Sequence, residues 1–180
     1  MKSQSTMKLE APARIFLHDL NHRPAPVSTS DTVRIQLLKS PSAAWLDLRT
    51  ALWPYESREN QQQEILGFLA EPSRFQNLMA TDPKGQPLGF IEGSIRSDYV
   101  NGTTTSPVGY IEGLYVIETH RGQGIARRLI ERLTQWFVSN QCCEMASDTS
   151  PSNQTSIAAH LALGFQETER TVFFRKRIRQ

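Results

Sequence analysis

The 180 residues predict a mixed α/β domain with a single central sheet flanked by helices, in the order βααβββαβαββ. Three observations carry that prediction. Residues 33–37, 75–81, 88–96 and 109–117 are short apolar or alternating runs of strand length and pattern. Ala126, Leu129, Ile130, Leu133 and Phe137 recur instead at helical spacing, opposite a face of Arg127, Arg128, Glu131, Arg132 and Gln135. Asp82-Pro-Lys-Gly85 is a turn signal between two of the runs, which makes the middle strands an antiparallel meander.

The elements follow in order. Residues 1–30 contain Pro12, Pro24 and Pro26 among scattered charges and a Ser-Thr-Ser end, without an apolar block long enough for a signal peptide; they are expected to be a flexible extension to a domain spanning 31–180. Val33 to Leu37 forms the first strand. Ser40-Pro41 then sets up a helix carrying Trp45, Leu46, Leu48, Leu52 and Trp53. A second helix covers 58–69, and strands at 75–81, 88–96 and 109–117 make the meander. A long helix over 122–139 precedes a short strand at 144–147. A helix over 153–163 stops at Leu163-Gly164-Phe165, and a strand pair ending in Val172-Phe-Phe174 closes the chain.

Composition narrows the function. An apolar content of 38% and a formal charge of +2 describe a globular chain with no overall basic character for nucleic acid. The basic run Arg175 to Arg179 reads as a solvated tail, and no apolar run reaches the length of a membrane span. Cys142 and Cys143 are adjacent and poorly placed to pair with each other, which suits a reducing cytoplasm. No Cys-His metal spacing is present, so no metal is expected.

The stretch from His120 to Ala126 carries the chemistry. Glycines at 122 and 124, between an apolar strand and an amphipathic helix, let successive backbone N–H groups and a helix N-terminus converge on an anion. Two glycines before a helix also suit a plain tight turn. The Lys-Ser/Thr pair of a Walker loop is missing, and Arg127 stands where a dinucleotide fingerprint needs its third glycine.

Arg-x-x-Gly-x-Ala after such a strand resembles the acetyl-CoA loop of the GNAT superfamily of N-acetyltransferases, and the resemblance extends over roughly residues 32–176. It implies acetyl-CoA as cosubstrate. The backbone of Leu114, Tyr115 and Val116 would pair with the pantetheine arm. Gly122, Gln123, Gly124, Ile125, Ala126 and Arg127 would hold the pyrophosphate, with Asn153 near the pantetheine.

The acceptor side must supply a proton acceptor for an attacking amine. Period two places Tyr110, Glu112, Leu114 and Val116 on one face of a central strand, and a carboxylate there needs a partner. Glu112 is thus either an ion-paired structural residue or a site residue beside the thioester. Asp148 is either a helix cap or a base.

The segments from Ser94 to Thr103, Ser106 to Gly113, Ala146 to Asp148 and Gly164 to Glu169 are more specifically similar to aminoglycoside 6′-N-acetyltransferases. In that group the positions matching Trp53, Tyr99, Glu112, Asp148 and Glu169 line the antibiotic site, with Asp148 a candidate base. Three carboxylates and two aromatics suit a polycationic, hydroxyl-rich substrate. His160 stands where many superfamily members carry a tyrosine that protonates the leaving thiolate; it is either that acid or a structural histidine.

The resemblance implies acetyl transfer to the 6′-amine, antibiotic resistance and a homodimer with C-terminal strands contributing. An N-acetyltransferase for a peptide, lysine or polyamine shares the same loop. A non-catalytic acyl-CoA-binding module is a further alternative.

Overall fold

A computed structural model describes residues 33–178 together with the two-residue strand β1 (Ile15–Phe16); the remainder of the expected N-terminal extension lies outside the described residues. The chain then runs through β2 (Arg34–Leu37), α1 (Ala43–Leu52), α2 (Arg58–Ala70), β3 (Phe75–Thr81), β4 (Pro87–Arg96) and β5 (Val108–Val116). A 3-10 turn (Glu118–His120), α3 (Ile125–Ser139), β6 (Glu144–Ala146) and α4 (Gln154–Ala162) complete it.

Strands β3 to β5 form the expected antiparallel meander, and β2 adds antiparallel to β3. At the far edge of β5 the neighbours are parallel. β6 pairs with Val108–Tyr110, while β1 pairs with Leu114 and Tyr115. The sheet is therefore mixed, with β5 at a fork.

Local chemistry sets the helix ends. Ser42 caps α1 by accepting from the Trp45 N–H at 3.2 Å, and Ser57 caps α2 by accepting from Asn60 at 3.1 Å. One face of the sheet packs against α1 and α2 through Trp45, Leu48, Leu52, Ile65, Met79 and Phe90. The other packs against α3, where Leu129, Leu133 and Phe137 meet Leu78, Ile91, Ile111 and Leu114. Each large apolar side chain so buried contributes about 1.5–3 kcal/mol. The Phe137 ring lies where a Cβ on Gly109 would be, so that glycine lets α3 approach the fork closely.

Two expectations are corrected. The strand pair between Phe165 and Phe174 does not form: residues 165–178 carry no regular element, because a strand needs a ladder partner and this segment has none among the described residues. Tyr110, Glu112, Leu114 and Val116 do not share a face. The register moves from Glu92↔Gly113 to Gly93↔Ile111, so Glu112 is the extra residue of a β-bulge. Beyond it the alternation is inverted, and Leu114 and Val116 join the core under α3 while Gly113 turns to Trp53.

Candidate active site

The glycine loop begins where β5 ends. The Arg121 Nε donates to the Val116 carbonyl at 3.0 Å, pinning the loop to the strand. Gly122 and Gly124 both adopt left-handed backbone, at φ 72° and 77°, with open space around them. Their conformation, rather than crowding within the protein, is what calls for glycine.

Gly124 is the N-cap of α3 and supplies no side chain to the first-turn N–H groups, which stay available to an anion. Ile125 and Ala126 are buried and can offer only backbone to a ligand, whereas Gln123 and Arg127 are exposed at the rim. The loop thus has the makings of a diphosphate cradle.

Of the three residues expected to pair with a pantetheine arm, Leu114 and Tyr115 are paired here with Ile15 and Phe16. Val116 lies at the end of the strand, its side chain in the core. Asn153 caps α4, its side-chain oxygen accepting from the Ser156 N–H at 3.0 Å.

Glu112 and Asp148 belong to one connected cluster. Arg96 Nη2 lies 2.9 Å from both carboxylate oxygens of Glu112, and the Ser94 hydroxyl donates to the same carboxylate. The ion pair that the sequence required of Glu112 is therefore present. The Arg96 guanidinium stacks 3.5 Å from the Tyr110 ring centroid, and the Tyr110 hydroxyl donates to Asp148 at 2.5 Å. Burial above all, then the Asp148 charge and hydrogen bond, push the Tyr110 phenol well above its ordinary value of 10.0.

Trp53, the C-cap of α1, lies where a Cβ on Gly113, the residue after Glu112, would sit. Beneath it is a buried network. The Arg49 guanidinium is 4.7 Å from the Trp53 ring and bonds Glu92 and Glu64, each at 2.5 Å, while the Trp45 indole donates to Glu92 at 2.7 Å. Burial raises the Glu92 carboxyl while Arg49 pulls it down.

Tyr99 is 80% exposed on the loop after β4. Thr168 packs against Gly102 of that same loop, so the segment bearing Glu169 passes beside it. Glu169 is exposed and accepts from Thr171 at 3.4 Å.

His160 Nδ1 is 2.7 Å from the Ser156 carbonyl, a contact that requires the proton on Nδ1. Nε2 is buried without a hydrogen-bond partner among the described residues, and burial lowers the pKa. This neutral tautomer presents an acceptor at Nε2.

Sequence reasoning missed Arg96 and Tyr110 as site residues. Their signal was present in the strand pairing: Ser94 and Tyr110 are cross-strand partners, and Arg96 faces Val108 two residues beyond. Among the described residues, no group of His, Cys, Asp and Glu could hold a metal, and no helix is long and apolar enough to cross a membrane.

Residues 42–165 match the Acetyltransferase (GNAT) family. An aminoglycoside N(6′)-acetyltransferase type 1 of Serratia marcescens is 47% identical over 133 residues, covering 74% of this chain and 90% of that protein. Among solved structures, AAC(6′)-Iy in complex with the bisubstrate analogue CoA-S-monomethyl-acetylneamine aligns with a TM-score of 0.76 at 38% identity, over 82% of this chain and 100% of that one. The aminoglycoside antibiotic 6′-N-acetyltransferase AAC(6′)-Ih from Acinetobacter baumannii gives the same TM-score at 39% identity, over 82% and 99%. With its glycine loop, forked sheet and these relatives together, the chain belongs to the GNAT family of acetyltransferases.

Proposed function

We propose that the protein transfers the acetyl group of acetyl-CoA to the 6′-amine of aminoglycoside antibiotics and so confers resistance. The observation that carries this reading is the Glu112–Arg96–Tyr110–Asp148 cluster on and beside β5, the strand that runs into the glycine loop, which sets two carboxylates along the path from the diphosphate cradle. The similarity to aminoglycoside acetyltransferases over 90% of a relative's length supports the acceptor class.

The chemistry assigns tasks as follows. The α3 loop binds the diphosphate through its backbone, with Arg127 supplying charge. Asp148 takes a proton from the 6′-ammonium, leaving an amine whose lone pair attacks the thioester carbonyl. The N–C bond forms, the C–S bond breaks, and CoA departs as a thiol after gaining the proton released from nitrogen. Backbone N–H groups at the bulge of β5 polarise the carbonyl.

Glu112, fixed by Arg96, orients the sugar rather than accepting the proton. Trp53 and Tyr99 offer stacking surfaces, and Glu169 adds charge attraction. His160, neutral and protonated on Nδ1, accepts a hydrogen bond at Nε2 in this state; returning a proton to the thiolate would require it to gain one first. The nitrogen of the tetrahedral adduct, directly or through water, supplies that proton instead.

The working form is a cytoplasmic homodimer. Val172, Phe173, Phe174 and Ile178 are all at least 72% exposed, and a second copy offers a ladder partner that the C-terminal segment does not find among the described residues.

Acetyl-CoA-dependent thiol release with kanamycin and tobramycin, run beside a panel of peptides and polyamines, tests the acceptor. Turnover confined to the aminoglycosides is expected. Turnover confined to the panel would replace the substrate, and binding of acetyl-CoA without any turnover would leave a binding module.

A further inference from the structure

We propose that Tyr110 is the positioning residue of the acceptor site: its hydroxyl ties Asp148 to β5, and its ring, stacked under Arg96, locks that tie to the ion pair with Glu112. The proposal rests on the reading of Asp148 as the base.

The fork gives such a tie its use. Tyr110 and Ala146 are the last paired residues of β5 and β6, after which the two strands part. Asp148 follows two residues later, exposed, in a stretch with no regular structure. A base must be held within about 0.5 Å of its productive place, and the Tyr110 hydroxyl supplies one such hold. Tyr110 stands at the pivot and reaches across the opening to grip Asp148 Oδ1 at 2.5 Å.

Two features make the grip dependable. The phenol stays protonated at working pH, since its pKa lies above the ordinary 10.0, so it is a constant donor. The ring cannot swing away without losing the guanidinium 3.5 Å above it, and Arg96 is itself held by Glu112. Tyr110 thereby couples the orienting carboxylate to the base, from opposite arms of the fork.

The test is a double-mutant cycle in the full-length protein, read on turnover and on kanamycin affinity by calorimetry. Tyr110→Phe keeps the ring and removes the donor. It is expected to lower kcat/KM for kanamycin about tenfold, with KM for acetyl-CoA within about twofold of the parent. In the Asp148→Asn background the same change is expected to cost nothing further in either readout. Full activity in Tyr110→Phe, or an equal loss in both backgrounds, would overturn the positioning role while leaving Asp148 as base. Unimpaired turnover in Asp148→Asn alone would remove the base and the proposal together.

Discussion

The two halves of the proposed site are built from different materials. The cosubstrate half is backbone: two left-handed glycines, an uncapped helix start and a strand edge, all between Leu114 and Arg127. The acceptor half is side chain, gathered from α1, β4, β5, the loop after β6 and the C-terminal segment. A backbone site tolerates most side-chain changes and fails when φ is forced. A side-chain site fails at single atoms and leaves its neighbour intact.

Asp148→Asn should separate the halves most sharply. It is expected to lower kcat/KM for the aminoglycoside about 100-fold or more while leaving KM for acetyl-CoA unchanged, as steady-state kinetics varying each substrate would reveal. Parallel losses on both substrates would mean that the halves are not separate.

Gly124→Val tests the other half. A β-branched residue at φ 77° costs about 1–3 kcal/mol, so KM for acetyl-CoA should rise about tenfold with acceptor affinity preserved. Equal acetyl-CoA affinity in this variant would show that the left-handed turn does not shape the cradle.

A smaller effect is expected at the strand edge. Leu114 and Tyr115 cannot pair with Ile15–Phe16 and with a pantetheine arm at once. Deleting residues 1–30 should therefore lower KM for acetyl-CoA about two- to fivefold, with kcat at saturation unchanged. A rise in KM would show that the segment supports the cosubstrate rather than competing with it.

His160 should give the smallest effect, seen only in stability against pH. Its folded pKa is lowered from 6.5 by burial, so above 6.5 both folded and unfolded chains hold it neutral and it contributes no pH dependence. Stability is lost as pH falls from 6.5 through the lowered folded value, because the unfolded chain gains the proton first. His160→Asn should flatten that acid limb in thermal melts; an unchanged slope would place the titration elsewhere.

The same contrast explains what could be read before the structure. The glycine loop was legible because glycine, strand and helix start are adjacent in sequence, and α3 because its apolar period runs unbroken from Ala126 to Phe137. Period-two reasoning failed at Glu112, where one bulged residue inverts every position after it. The tail from Phe165 looked like strands by composition, yet strand formation depends on an edge that composition does not reveal. Glu112 and Asp148 were legible as carboxylates in suggestive places. Tyr110 and Arg96 were not, since their roles arise from pairing across β4, β5 and β6.

Where the acetyl group lands decides whether the protein is a 6′-N-acetyltransferase. Kanamycin acetylated by the full-length protein should carry the new amide on the 6′ nitrogen, identified by NMR, and an analogue bearing hydroxyl at 6′ should release no thiol. Acetyl at another amine, or undiminished turnover of the 6′-hydroxyl analogue, would contradict the account.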